Sequence, residues 1–406
     1  MRISFIIPSR NNLKYLQQAI KSITDHYEQQ HDIVVLDDAS TDGTWEWIQS
    51  LSGDNILKYR NEGPERVGHT ILYDKGVELC KTGVFTIFHA DMITTSNHVP
   101  NMLKHLKEGT VVSATRIEPP LHPPGPEKHV RTFGFEPEEF QKDKFNNDVA
   151  LLEQTDEGKI TKGIFAPWCM YKEDFQAIGG HDPLFAPMEL EDSDIFNRMH
   201  LAGYQLIQSR DSFVYHMTCR GSRFKDGIEI EAEIPLPDGT IWYKPKDSEE
   251  YKALRAVKFR EWWRKWGCNV LHDELLMPIV PPKYDIGFVV TNCNPSLLEI
   301  LEPWCSTLYY NDPYDLIVPD YIKREQPNTQ FNLEERIRPY DNEKQNEILV
   351  SFDASKLNQS NFQIIENLSQ IIKDSGGIGS FQLDIFTINI IQMNEYQNNL
   401  IICNTI

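Results

Sequence analysis

Short apolar runs alternate with segments of helical spacing along the first half of the chain. The run Ile3–Ile7 is closed by Pro8, and apolar residues then recur every three or four positions from Leu13 to Ile23. Ile33–Leu36 repeats the strand pattern and precedes a helical pattern that carries Trp45, Trp47, Ile48 and Leu51. This alternation predicts β-α-β units, and hence a mostly parallel sheet flanked by helices.

A later strand ends in two potential metal ligands. The apolar run Val84–Phe88 is followed by His89-Ala90-Asp91, and open α/β sheets bind ligands at the carboxyl ends of their strands. The pattern therefore predicts that a metal ion meets a phosphate at His89 and Asp91.

Polar loops also follow the first two strands. Pro8-Ser9-Arg10-Asn11 offers a hydroxyl, a guanidinium and an amide, and one carboxylate of Asp37-Asp38 could accept a hydrogen bond from a base or a ribose. Asp38, Ser40 and Asp42 are equally typical of a turn and a helix N-cap. Their position directly behind a strand favours ligand binding.

An acidic segment and a basic segment come later in the chain. Glu191 and Asp192 open a helix, where the helix dipole favours acids, but four acids within Glu189–Asp194 exceed what a cap requires. After a predicted strand end at Val214–His216, the basic segment that contains Arg220 and Arg223 is suited to closing over an anion.

Two further features leave alternatives open. The proline-rich segment from Glu118 to Lys128 predicts a surface loop, which is either a wall for the acceptor or a plain connector. Trp168 is either an aromatic platform for an acceptor sugar or a core residue.

The remaining chain predicts two more regions. Residues 226–282 combine a β-like excursion with a helix over 248–276 that is rich in aromatic and basic residues, suited to packing across the catalytic domain or to a membrane surface. Prolines 278, 281 and 282 mark a boundary. Residues 283–406 predict a smaller α/β domain of unknown role, with strands at 286–290, 306–310, 348–352, 381–391 and 400–403 and helices at 295–304 and 361–373.

Composition narrows the choice of partners. The chain has 406 residues, 40% apolar and 25% charged, as in ordinary globular proteins, and its net charge of −20 disfavours nonspecific binding to nucleic acid or anionic membranes. Seven cysteines stand singly, which predicts neither a zinc knuckle nor a disulfide framework. No apolar run matches a signal peptide or a membrane span, so a cytoplasmic location is expected.

Four signatures in residues 1 to about 225 resemble glycosyltransferase family 2, whose members have the GT-A fold and invert configuration at the sugar carbon. They are Ile6-Ile7-Pro8-Ser9-Arg10-Asn11, Val35-Leu36-Asp37-Asp38-Ala39-Ser40-Thr41-Asp42-Gly43, Phe88-His89-Ala90-Asp91 at the place of the Asp-x-Asp motif, and Ile178-Gly179-Gly180-His181-Asp182 leading to Glu191-Asp192-Ser193-Asp194. Each is weak alone, and their order and spacing make them specific together. Residues 1–225 are therefore expected to be the catalytic domain.

The resemblance implies a role for each matching residue. Asp192, beside Glu191, would be the general base, and Asp91 with His216 would bind the Mn²⁺ or Mg²⁺ that bridges a diphosphate. The nucleotide sugar would contact the residues Pro8, Ser9, Arg10, Asn11, Asp38, His89, Ala90, Arg220 and Arg223. The sequence departs from the family at His89, which replaces the first Asp of the motif, and at Asp74, near a usual Asn. His89 could bind the metal, contact the ribose or orient Asp91.

The expected function is metal-dependent, inverting transfer of a sugar from a UDP- or GDP-linked donor to a carbohydrate or other hydroxyl acceptor. The chemistry agrees, because a metal and an arginine stabilise a departing diphosphate while a separate base deprotonates the acceptor. A catalytically inactive binding module is the alternative, and a sugar nucleotidyltransferase is disfavoured because Pro8-Ser9-Arg10-Asn11 lacks glycine. Residues 283–406 are expected to act either in acceptor recognition or in self-association.

Overall fold

The computed structural model describes residues 1–219, 228–237, 239–311 and 313–403. Contacts divide the chain into two compact units. Unit 1 contains residues 1–253, 272–278 and the described residues 402 and 403, and unit 2 contains residues 254–271 and 279–401. The three-part division expected from the sequence stays a prediction. None of the described helices is long and apolar enough to cross a membrane.

Unit 1 is built on a large mixed sheet. Its strands are β1 (Ser4–Ser9), β2 (Asp32–Asp38), β3 (Ile56–Asn61), β4 (Val84–Ile87), β5 (Met92–Thr94), β6 (Thr110–Glu118), β7 (Lys128–Val130), β8 (Ile160–Lys162), β9 (Trp168–Tyr171) and β10 (Gln205–His216). A separate hairpin follows, formed by β11 (Ile230–Pro235) and β12 (Ile241–Pro245). The helices are α1 (Leu13–Tyr27), α2 (Thr44–Ser50), α3 (His69–Leu79), α4 (His98–Leu103), α5 (Lys142–Asp156), α6 (Lys172–Ala177) and α7 (Glu191–Leu201).

The sheet order places the predicted loops together. It runs β3-β2-β1-β4-β9-β6-β10-β5, and β3, β2, β1 and β4 are mutually parallel. Every residue of β2 is buried, as expected for a parallel strand covered on both faces. The predicted β-α-β alternation and α/β class are confirmed, and the loops after β1, β2 and β4 share one sheet edge.

His89-Ala90-Asp91 lies in the turn between β4 and β5. The strand of the predicted run ends at Ile87, and the chain re-enters the sheet at β5, which pairs antiparallel with the end of β10. The register opposes Met92 to His216. Two segments separated by more than 120 residues are thereby brought side by side.

Several elements of the structure differ from the sequence prediction. Helix α5 was not predicted, although Phe145, Val149 and Leu152 give it a buried helical stripe. The predicted strand 381–391 is a hairpin that turns at Asp384, whose φ is +51°. The predicted strand 400–403 is wrong, because a 3₁₀ turn spans Gln397–Leu400.

Unit 2 contains a second, smaller α/β sheet. Helix α8 (Glu249–Trp266) starts in unit 1, and its residues from Leu254 belong to unit 2. The helices that follow are α9 (Pro295–Leu301), α10 (Tyr314–Glu325), α11 (Leu333–Arg336), α12 (Gln359–Glu366) and α13 (Leu368–Asp374). The strands are β13 (Ile286–Thr291), β14 (Thr307–Tyr310), β15 (Ile337–Pro339), β16 (Ile348–Asp353), β17 (Gly379–Leu383) and β18 (Phe386–Ile390), in the order β15-β14-β13-β16-β18-β17.

The aromatic residues of α8 pack into the protein. Trp262 and Trp266 are buried, and the ring of Trp263 stacks on Trp304 with centroids 4.8 Å apart. Trp263 therefore packs against the core of unit 2, and the expected packing of this helix across the catalytic domain stays a prediction.

Candidate active site

Three side chains at the edge of the large sheet converge on one point. One ligand atom from each of His89, Asp91 and His216 lies within 4.8 Å of the other two, and no other such group occurs among the described residues. The Oδ1 atom of Asp91 lies 3.3 Å from Nε2 of His216, and Nδ1 of His89 lies 3.5 Å from the same nitrogen. Two imidazoles and a carboxylate form a donor set that fits a divalent transition metal such as Mn²⁺.

A buried glutamate that the sequence did not single out fixes the orientation of His216. Glu118 accepts a hydrogen bond from Nδ1 of His216 at 2.7 Å. Because an ionised carboxylate can only accept, Nδ1 of His216 carries a proton, and Nε2 is the ring nitrogen that faces Asp91 and His89. A carboxylate behind a ligating histidine is the usual support of a metal site. The sequence places Glu118 at the start of the proline-rich surface loop, whereas in the structure it is the buried last residue of β6.

Charge neutralisation keeps Glu118 ionised in the interior. Burial opposes its ionisation, but Arg116, His216 and Lys128 outweigh burial and hold the pKa of Glu118 well below its usual range. The Nζ atom of Lys128 lies 2.8 Å from Oε2 of Glu118. For His89, burial first and then the neighbouring His216 lower the pKa to about 3, so its imidazole is neutral and free to donate a lone pair.

The four acids at the start of α7 have different partners. Asp194 forms a buried ion pair with Arg198 at 2.8 Å, Glu191 lies 2.6 Å from Nε2 of His69, and Glu189 accepts a hydrogen bond from the hydroxyl of Tyr251. Within the part of the chain that the structure describes, the Asp192 carboxylate makes no hydrogen bond or ion pair. Asp192 is therefore the acid with free acceptor capacity.

Electrostatics also distinguish Asp192 from Glu191. For Glu191, burial is outweighed by the charge and hydrogen bond of His69, so the pKa of Glu191 is lowered. For Asp192, burial and the adjacent negative charge of Glu191 raise the pKa to about 6. A carboxylate that changes protonation state near neutral pH suits proton transfer.

The metal-ligand group and the acids occupy one neighbourhood. After burial, the charges of Asp192, Glu191 and Asp91 all raise the pKa of Tyr73. The charge of His69, the partner of Glu191, also contributes to lowering the pKa of His89, after burial, His216 and the opposing Asp91. Tyr73 of α3 therefore lies close enough to both groups for their charges to affect its pKa.

Hydrogen bonds join the loop after β1 to the loop after β2. The amide of Asn11 donates to Oγ of Ser40 at 2.9 Å, and the Thr41 amide donates to Oδ1 of Asn11 at 2.8 Å. Arg10 donates to the main-chain carbonyl of Asp38 at 2.6 Å. Pro8 and Ser9 are the last two residues of β1. The predicted donor residues 8–11 and 38 thus form one connected edge.

Asp38 has a structural task besides its predicted contact with the base. Its carboxylate accepts hydrogen bonds from the Asn61 side chain at 2.8 Å and from the amides of Val67 at 2.9 Å and Gly68 at 2.8 Å. These bonds fix the segment that leads into α3 and its His69. The base contact stays a prediction.

Other predicted site residues have different outcomes. Ala90 is buried in the turn between the two metal-ligand candidates. Arg220 and Arg223 lie outside the described residues. Asp74, the second departure from the family pattern, lies 2.7 Å from Nδ1 of His181 and so holds the Gly179-Gly180 turn.

The acceptor-platform interpretation of Trp168 is wrong. Its side chain is 0% exposed and packs among Phe85, Phe175 and Phe196. A sugar cannot stack on a ring that has no exposed surface. Trp168 and Cys169 instead begin an interior strand, β9.

Comparison with known families gives an independent test of the first signatures. The sequence profile of glycosyl transferase family 2 matches residues 4–160. The match confirms the resemblance of this part of the chain to glycosyl transferase family 2, and it covers less than half of the chain. The family 2 segment contains the turns after β1 and β2, His89, Asp91 and Glu118, whereas Asp192 and His216 lie beyond the matched residues.

Individual relatives are distant from this chain. The dolichol-phosphate mannosyltransferase of Pyrococcus furiosus is 28% identical over 114 residues, which cover 28% of this chain and 32% of the relative, so the chain spans about a third of the curated relative it matches. The mannosyltransferase PcManGT from Pyrobaculum calidifontis, solved with GDP-Man and Mn²⁺, gives a TM-score of 0.40 at 17% identity, over 64% of this chain and 62% of that one. TarS from S. aureus gives 0.38 at 13% identity, over 53% and 60%.

Proposed function

We propose that the chain is a metal-dependent glycosyltransferase that moves a sugar, with inversion, from a UDP- or GDP-linked donor to an acceptor hydroxyl. The family 2 segment supports the reaction class. The observation that carries the mechanism is Asp192, the one acid of four at the start of α7 without a partner among the described residues, with a pKa raised to about 6 by burial and by Glu191.

In this proposal, Asp91, His216 and His89 hold Mn²⁺ or Mg²⁺. When bound, the ion supplies electrostatic stabilisation of the departing nucleoside diphosphate. Glu118 keeps the Nε2 lone pair of His216 directed toward the ligand group. The loops after β1 and β2, joined through Asn11 and Ser40, position the nucleotide.

Asp192 removes the proton from the acceptor hydroxyl. As the acceptor oxygen bonds to the sugar carbon and the bond to the diphosphate oxygen breaks, the proton passes to the carboxylate of Asp192. A single displacement by a base-activated hydroxyl inverts the configuration. His69 neutralises Glu191, so that one of the two adjacent acids serves as base while the other stays paired.

The test compares donor binding with turnover. Thermal shift with UDP- and GDP-sugars, with and without Mn²⁺, identifies the donor, because a ligand of the native state raises the unfolding temperature. Release of nucleoside diphosphate in the presence of hydroxyl acceptors then measures transfer. Asp192→Asn is expected to keep the donor-induced shift and to lose about 10²–10⁴-fold in transfer rate.

Glu173→Gln is the matched control, because Glu173 is an exposed acid outside the site. This variant is expected to behave as the wild type. Near-normal transfer by Asp192→Asn would overturn the assignment of the base. A donor-induced shift without nucleotide release by the wild type would favour the inactive binding module instead.

A further inference from the structure

The helices of unit 2 contribute to a core on one face of its sheet. Ile286, Phe288 and Val290 of β13 belong to this core, together with residues of helices α9, α10, α12 and α13. Since side chains alternate along a strand, Gly287, Val289 and Thr291 project from the opposite face.

A loop covers part of that opposite face. In the segment between β15 and β16, Asn346 accepts a hydrogen bond from the hydroxyl of Tyr309 at 2.9 Å, and the Gln345 amide donates to the same hydroxyl at 3.2 Å. A Cβ at Gly287 would lie only 2.5 Å from Oδ1 of Asn346. The loop therefore seals the face over β14 and the start of β13.

The neighbouring part of the face carries a polar row. Strand pairing aligns Val289 with Ser351, Ser351 with Thr387, and Thr387 with Gln382, across β13, β16, β18 and β17. Three strand spacings of ~4.8 Å give the row a length of roughly 14 Å. The row is uncharged and ends in two exposed residues, Thr387 and Gln382.

This row forms part of the floor of a groove of about 470 Å³. Tyr340, which is 40% exposed, lines the groove beside the covering loop, and Ile385 of the β17–β18 turn also lines it. Thr291 and Asp353, at the carboxyl ends of β13 and β16, complete the end of the groove. Crossovers leave β13 toward β14 on one side and return to β16 on the other, and α/β sheets bind ligands at such points.

The groove lacks the features that bind phosphate. The segment after β13 is Thr291-Asn292-Cys293-Asn294-Pro295, without glycine. Lys356 is the single cation among the lining residues, which also include the two acids Asp353 and Asp384. Its Nζ lies 3.9 Å from Oδ2 of Asp353. The local charge balance therefore disfavours an anionic ligand.

We propose that this groove binds a neutral saccharide. The hydroxyl and amide groups of the row and the carboxylate of Asp353 provide both donors and acceptors for sugar hydroxyls. The Tyr340 ring, which has Lys344 Nζ 4.5 Å from its centroid, offers an apolar surface for a sugar face. In the described part of the chain, the hydroxyls of Thr291 and Ser351 make no hydrogen bond, so both are available to a ligand. The Asp353 carboxylate is fixed by Ser355 at 2.7 Å and Asn292 at 3.0 Å.

The groove is tested by saturation-transfer NMR on the full chain, without a nucleotide sugar. The probes are the neutral trisaccharides of mannose, glucose, xylose and N-acetylglucosamine, with inorganic phosphate and ATP as anionic comparisons. At least one trisaccharide is expected to bind. Tyr340→Ala and Gln382→Ala are each expected to weaken its affinity about tenfold. Both residues are exposed at the groove, so their replacement leaves the core intact.

Two matched variants separate the groove from other effects. Ile378→Ala removes a more exposed apolar side chain of unit 2 outside the groove lining and is expected to bind as the wild type does. Asp192→Asn, which alters the proposed transfer site and leaves the groove unchanged, is also expected to bind the trisaccharide as the wild type does. The proposal is overturned if no trisaccharide binds, if binding survives both groove variants, or if those variants instead abolish binding of phosphate or ATP.

Discussion

Each unit buries a glutamate among positive charges, but the two clusters end differently. In unit 2, Glu302 accepts from Arg264 at 2.6 Å on one oxygen and from Arg336 at 2.5 Å on the other. In unit 1, Glu118 is bound by Lys128 and by Nδ1 of His216. In the unit 2 cluster, the partners of the glutamate are guanidinium groups. In the unit 1 cluster, one partner is His216, whose other ring nitrogen, Nε2, faces Asp91 and His89.

The difference separates an ion cluster with only a structural role from one whose histidine could bind a cation. Arginine has donors and no acceptor lone pair, so a cluster that ends in arginine has nothing to offer a cation. A histidine held by a carboxylate keeps a lone pair for a metal. Position agrees with this distinction, because Glu118 and His216 end neighbouring parallel strands, while Glu302 follows a helix, α9.

The largest effect on transfer is expected from replacing Asp91, which faces Nε2 of His216 in unit 1. Asp91→Asn removes the only carboxylate of the ligand group, and transfer should fall on the order of 10³-fold, since such metals supply several kcal/mol of transition-state stabilisation. Initial rates at saturating Mn²⁺ measure the loss. Asp143→Asn, an exposed aspartate of α5, is the control. Unchanged transfer by Asp91→Asn would show that the group around His216 does not hold a metal that transfer requires.

The unit 2 cluster should instead govern stability. Glu302→Gln leaves Arg264 and Arg336 short of negative charge in the interior, and the free energy of unfolding should fall by about 3–5 kcal/mol. Urea-induced unfolding measures the change. Glu299→Gln, on α9, breaks the exposed pair with Arg324 and should cost no more than about 1 kcal/mol. Equal losses in the two variants would contradict the role given to the buried cluster.

A smaller effect is expected behind the metal ligand. Glu118→Gln no longer holds His216 with a charged acceptor, so affinity for Mn²⁺ should fall about 10–100-fold. Calorimetric titration with Mn²⁺ measures the affinity, and the thermal unfolding temperature checks that the variant is folded. If Glu118→Gln bound Mn²⁺ as tightly as the wild type, Glu118 would not support a metal ligand and, like Glu302, would have only a structural role.

The smallest effect concerns the pH dependence of transfer. Asp192 must be ionised to act as a base, so with a pKa raised to about 6 the rate should rise as pH increases through about 6 and then level off. Burial is the first cause of this shift and Glu191 the second. Glu191→Gln removes the second cause, and the midpoint should move to lower pH. A midpoint that stays in place or rises would show that another group limits the rate.

The sequence predicted what depends on local pattern. The strands of the parallel half and the position of His89 and Asp91 after β4 follow from apolar runs and the polar residues behind them, whereas His216 was proposed as a metal ligand from the family resemblance alone. Glu118 and His69 were missed because their roles arise from partners 98 and 122 residues away. The local pattern of apolar and polar residues does not indicate pairs so far apart in the sequence.

Other differences have equally specific causes. Trp168 was ambiguous because a buried strand and an aromatic platform share the same local composition. Helix α10 was missed because it contains Pro319, which normally ends a helix. The β17–β18 hairpin was taken as one strand because its turn, Asp384-Ile385, lacks the usual glycine.

The central claim is that His89, Asp91 and His216 form a metal site, and Mn²⁺ electron paramagnetic resonance tests it most directly. Free aqueous Mn²⁺ gives a sharp signal that is lost on binding, so a titration counts bound ions per chain. One tightly bound Mn²⁺ is expected in the wild type and in Asp143→Asn, and none in His216→Ala at the same concentrations. Equal binding by His216→Ala and the wild type would contradict the account.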